Sequence, residues 1–157
     1  MRAKVHKTVI SSVLALMLIA VSMTVAGASP PLDLYIEVDE VIATSGETFF
    51  ASGDAVMDGA VCATGTVDDI STVVNGAPGG PVSILHILKR FYCSGSTGTF
   101  DVRLVVKLDN DTHYTTAGWK IVDGTGAYAS LKGSGSLAGT PIDPGLSIHD
   151  VYDGQVH

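Results

Sequence analysis

The chain has 157 residues and carries 9 basic against 16 acidic ones, for a formal charge of −7. That balance argues against nucleic acid and anionic lipid as partners, because both are held by clustered Lys and Arg. The length suits one domain with its own core.

The chain opens on Arg2, Lys4 and Lys7, followed by an apolar run from Thr8 to Val25 and then "VAGASPP". A basic start, an apolar core and small residues at Ala26 and Ala28 describe a secretory signal peptide cleaved after Ala28. The run is about 18 residues, the lower edge of what spans a bilayer, so an uncleaved anchor is the competing reading. Cleavage would remove three basic residues and no acidic one, leaving six against sixteen and a formal charge of −10. Residues 29–157 then form a single exported domain, with no membrane contact expected once the signal is gone. Its two cysteines, Cys62 and Cys93, are expected to form a disulfide, as in other exported proteins.

Beyond the leader the pattern alternates with period two and is punctuated by Gly, Pro, Asp and Asn, which predicts short antiparallel strands. "LDLYIEVDEVI" places Leu34, Ile36 and Val38 on one face. "TFFASGDAV" and "GAVCATGTV" read as two strands divided by a turn near "MDGA". "DDISTVVNGAPGGP" reads as a mobile loop, with a helical turn around 70–74 as an option. "PVSILHILKRFYC" reads as a central strand, apolar on both faces. "TFDVRLVVKLD" turns inward Val102, Leu104, Val106 and Leu108. "DNDT" is a tight turn, and "HYTTAGWKIVD" returns with Ala117, Trp119 and Ile121 on one side. "GTPIDPGLSI" reads as an irregular connection before a last strand, "SIHDVYDGQVH". Seven or eight such strands make an all-β sandwich or closed barrel.

The segment "GWKIVDGTGAYASLKGSGSLAG", from Gly118 to Gly139, has glycines where a strand bends or packs closely. Trp119 can fill the core or plug one end of a barrel. A Trp strand, then Gly-Thr-Gly-aromatic, then a strand with Gly-x-Gly, resembles the last third of the small secreted barrels of the allene oxide cyclase and dirigent families. This sequence departs from their pattern at Asp123, where they commonly have a glycine. The resemblance implies a calycin-like, eight-stranded antiparallel β-barrel with an apolar cavity, and it carries over no catalytic residue.

Several chemistries are unsupported. The glycine run lacks the spacing and the strand–helix context of a phosphate loop. No G-x-S-x-G elbow is present. His86, His113, His149 and His157 form no H-x-H or H-x-x-x-H pair, so no metal site and no cofactor is expected. "DNDT" matches only the start of a calcium loop, and Asn110-Asp111-Thr112 is formally a glycosylation sequon. His113 and His157 are expected on the surface. His86 either faces a cavity as an acid or base, or faces solvent. In the last strand Asp150 and Tyr152 share one face and His149 and Asp153 the other. A cavity facing Asp150 and Tyr152 would offer a carboxylate and a phenol; the alternative is an edge strand protected by charge.

The leading functional expectation is non-catalytic binding of a small apolar or amphipathic molecule in a barrel mouth. Trp119, Tyr92, Tyr128, Tyr152, His86 and Asp150 are the candidate cavity residues. A cyclase- or isomerase-type enzyme, using His86 or Asp150, is the second reading. A structural protein that assembles as a homo-oligomer through a barrel face is the third; it predicts a filled barrel.

Overall fold

A computed structural model describes residues 30–42, 44–76 and 80–157; the proposed leader lies outside them. Among the described residues no helix is long and apolar enough to cross a membrane. Eight strands follow one another around a closed barrel: β1 (Leu32–Val41), β2 (Glu47–Ser52), β3 (Thr64–Asn75), β4 (Val82–Cys93), β5 (Thr99–Asp109), β6 (Thr115–Gly124), β7 (Gly133–Asp143) and β8 (Ser147–Val156). Every neighbouring pair is antiparallel, and β1 closes on β8 from Leu32↔Val156 to Val41↔Ser147. The expected antiparallel eight-stranded barrel is the observed fold. Closure gives every strand a neighbour on both sides, although β3 beyond Val67 is paired with β4 alone. The edge-strand alternative for β8 is therefore corrected, since β8 pairs with β7 as well as β1.

Three local expectations change. The "DDISTVVN" segment is strand, not loop or helical turn, and pairs with β4 as far as Asn75↔Ile84. Its β-branched run suits a pleated surface, and a bulge between Asp69 and Ser71 keeps it in the ladder. The turn between the second and third strands is longer than "MDGA" and holds a one-turn helix, α1 (Asp54–Met57), that buries Ala55. "GTPIDPGLSI" is mostly strand: only residues 144–146 separate β7 from β8. The "DNDT" turn does form, and Asp109 Oδ1 organises it by accepting the Asp111 and Thr112 amides at 3.0 and 2.8 Å. These bonds hold the Asp109 carboxyl below its ordinary range. The Asn110 amide of the sequon donates to Gly80 O at 2.7 Å and Ser83 Oγ at 3.0 Å, tying this turn to the start of β4.

The two ends of the barrel differ. One carries α1, the β4–β5 turn, a 3-10 turn (Gly126–Tyr128) and both ends of the described chain, and it is packed shut. There Phe91 stacks on Phe100 with ring centroids 4.9 Å apart and meets Phe49 and Tyr152 edge-on at 5.2 and 5.9 Å. Tyr128 caps Phe100 at 5.6 Å. Trp119 belongs to this packed half: its indole N–H donates to Ser136 O at 2.9 Å. The indole lies so close to β8 that a Cβ on Gly154 would sit 2.5 Å from Trp119 Cζ2. The β7 backbone is as close, with Ser134 O at 2.4 Å, so glycine at this point of the strand is a packing requirement set by the tryptophan and the neighbouring strand together.

Cys62 and Cys93 are bonded, with Cα atoms 5.7 Å apart, and tie the α1 loop to the end of β4. Such bonds persist in oxidising compartments. Reducing this one in urea melts should cost about 3–4 kcal/mol, the loop-closure value for a separation of 31 residues. A Cys62→Ala, Cys93→Ala variant should lose the same amount and become insensitive to reductant. An unchanged midpoint would mean that the ladder alone holds the loop.

Candidate functional site

The other end of the barrel is open. Inward positions there are smaller or further apart, and they enclose a cavity of about 700 Å³. Its walls are mostly apolar and include Val67, Leu85, Ile87, Leu104, Val106 and Leu137. Its mouth is framed by the β1–β2, β5–β6 and β7–β8 turns, which contribute Thr44, His113 and Gly145 among others. A volume of this size falls within the roughly 300–1,000 Å³ typical of small-molecule sites.

The floor on one side is charged. Alternation along β1 points Leu34, Ile36, Val38 and then Glu40 inward; along β4 it points Leu85, Ile87 and then Lys89 inward. Lys89 is only 3% exposed. Its ammonium donates to Glu40 Oε2 of β1 at 2.7 Å and to Asp69 Oδ1, its paired neighbour on β3, at 2.5 Å. Burial alone would make Lys89 less basic, but the Glu40 and Asp69 carboxylates more than offset it, and its pKa lies above the ordinary lysine value. Lys89 therefore carries a full positive charge at neutral pH.

Asp150 is the next inward residue around the floor, from β8. It is 7% exposed, and its Oδ1 has no hydrogen-bond partner. Burial, reinforced by the Glu40 charge, pushes its pKa up to about 7. Glu40 is also raised, chiefly by burial. One cation faces three carboxylates, Asp150 and Glu40 buried or half-buried and Asp69 exposed, and Asp150, the one without the lysine, is the first to take a proton. Beneath it lies the fully buried Tyr152. Its hydroxyl also lacks a partner, and burial together with the Glu40 charge keeps the phenol protonated well past its ordinary range. On the neighbouring strand Gly139 faces the same spot, where a Cβ would overlap Asp150 Oδ1 and Thr115 Oγ1. The missing side chain leaves the carboxylate room.

The six residues expected in the cavity are scattered. Asp150 lines it. Trp119 and Tyr152 lie inside the barrel in the packed layer below, with centroids 6.5 Å apart. Tyr128 is buried at the closed end. His86 and Tyr92 are corrected: both project from the outer face and are exposed. They share the parity opposite to Leu85, Ile87, Lys89 and Phe91. His113, expected on the surface, is half-buried at the cavity mouth. His149 points outward and meets Asp39 at 2.6 Å. Glu40, Asp69 and Lys89 were not singled out from the sequence. A detectable signal existed for two of them: Glu40 ends an inward-facing apolar row with a charge, and Lys89 interrupts one between Ile87 and Phe91. Among the described residues no three His, Cys, Asp or Glu side chains are placed to hold a metal ion.

Fold and cavity together define an up-and-down β-barrel with one plugged end and one open end over a charged floor. No protein-family model matches the chain, and no curated protein or solved structure matches it either.

Proposed function

We propose that this protein is an exported, non-catalytic carrier or receptor that takes a small amphipathic molecule into the open half of its barrel. The observation that carries the reading is the apolar cavity of about 700 Å³ with its polar groups gathered on one side of the floor. A barrel built only for assembly has no use for that space and would be filled with side chains. Export is supported by the leader pattern at residues 1–28 and by the disulfide. Kinship with the allene oxide cyclase and dirigent barrels is part of the proposal, supported by the shared barrel type and the Gly-Thr-Gly-Ala-Tyr segment at 124–128.

One observation favours an enzymatic second reading. Asp150, with its pKa near 7, sits above a neutral phenol and beside an ammonium, a set able to move a proton on a bound ligand. Cyclisation or isomerisation without a cofactor is the reaction class that such a set could serve.

The test is native mass spectrometry of protein taken from its own host, followed by substitution at the cavity wall. A small-molecule adduct that disappears on denaturation is expected. Leu104→Trp, which adds bulk at that wall, should abolish the adduct while leaving the cooperative melt. An adduct retained in full by that variant would place binding elsewhere. Conversion of the molecule during incubation, lost in Asp150→Asn, would move the enzymatic reading to the front.

A further inference from the structure

The charge arithmetic of the floor restricts what the cavity accepts, given the binding reading above. Two donor positions of Lys89 are committed to Glu40 and Asp69 at 2.7 and 2.5 Å. Three carboxylates surround that single cation, so the floor is negative whether or not Asp150 holds a proton. Among the described residues three buried polar atoms have no hydrogen-bond partner: Glu40 Oε1, Asp150 Oδ1 and Tyr152 Oη. All three belong to this floor, and two are carboxylate oxygens, which only accept. Buried acceptors without donors are costly and are normally satisfied. The third, the Tyr152 hydroxyl, can donate or accept, so the floor's surplus is of acceptors and of negative charge.

We infer that the cavity selects amphipathic molecules with a cationic head, an alkylammonium or a comparable amine, seated against Asp150 and the free oxygen of Glu40, with the apolar body along Leu104, Val106 and Leu137. An ammonium brings up to three donors and a positive charge to a site short of both. A carboxylate head would add a further negative charge to the cluster, and like charges brought together without solvent are strongly disfavoured. An alcohol would satisfy one acceptor and leave the charge unbalanced. Asp150 and Glu40 both line the open cavity, so a head group entering from the mouth reaches them directly. The raised Asp150 pKa agrees with this assignment, because a counter-ion is what that carboxyl lacks.

The experiment is calorimetric titration of the full-chain protein at pH 7.5 with three probes on one apolar body: decylamine, decanol and decanoate. Decylamine is expected to bind at least tenfold tighter than decanol, with decanoate the weakest. Asp150→Asn and Glu40→Gln should each lower the ratio of decylamine to decanol affinity severalfold. Neither substitution removes bulk, and a cooperative melt of each variant verifies that it is folded. Equal binding of all three probes would overturn the head-group inference and leave the cavity reading standing. Preference for decanoate would overturn it in favour of Lys89 as the recognising group. Failure of every probe, in a protein whose melt is cooperative, would sink the cavity reading and the inference with it.

Discussion

Replacing Lys89 with methionine is expected to destabilise the protein by about 3 kcal/mol, although methionine is the more hydrophobic side chain and Lys89 is almost wholly buried. Breaking a buried ion pair by removing one partner typically costs about 3–5 kcal/mol, because the other charge is left in a low dielectric. The lower end applies here, since the Asp69 side chain is 42% exposed and can recover water, whereas that of Glu40, at 16%, cannot. Urea melts at pH 7.5 read the effect. The combined variant Lys89→Met, Glu40→Gln should lose less than the two single losses added, by at least about 1 kcal/mol, as expected for directly coupled groups. Strict additivity would show that the ammonium and the carboxylate do not depend on each other. Neutralising the acids alone has the opposite logic, and this leads to the second expectation.

Asp150→Asn should make the protein more stable in alkali and leave it unchanged in acid. The folded protein holds the Asp150 proton up to about pH 7, while the unfolded chain releases it near 3.8, the ordinary aspartate value. Between those values the native state binds more protons than the unfolded state, so wild-type stability falls as pH rises. Three pKa units at ~1.4 kcal/mol each bound the effect at about 4 kcal/mol above pH 7. A gain of about 2–4 kcal/mol for Asp150→Asn is expected at pH 8, shrinking to nothing near pH 4. Chemical melts at half-unit intervals measure it. Wild-type and variant curves that run parallel across this range would mean that Asp150 is not desolvated as described. A slope of the same sign that persists in the variant belongs to Glu40, whose pKa is raised in the same way. Such a cost is characteristic of groups kept for function, because an apolar side chain at 150 would avoid it.

Much of the barrel was legible because period-two alternation is a local property. The β5–β6 hairpin could be read with its faces and its turn, since Val102, Leu104 and Val106 oppose Ala117, Trp119 and Ile121 across a four-residue signal. Where alternation broke, reading failed. The bulge after Asp69 disguised half of β3 as loop, and Pro141 and Pro144 made the β7–β8 hairpin look irregular. The same limit explains the candidate residues. Asp150 and Tyr152 were assigned to one face by parity. His86 and Tyr92 share a parity too, but in a strand apolar on both sides nothing local says which set faces in.

By itself the sequence determined the class of fold, the disulfide partners, one hairpin and the shared face of Asp150 and Tyr152. Each depends on residues near one another in the chain or on there being only two cysteines. Only the tertiary structure decided that the barrel is plugged at one end and open at the other, because filling depends on how side chains from all eight strands add up at each level. It alone also brought Lys89 to Glu40, 49 residues away and three strands round the barrel. Which inward charges meet is set by the register at which β1 closes on β8, and no local pattern encodes that register.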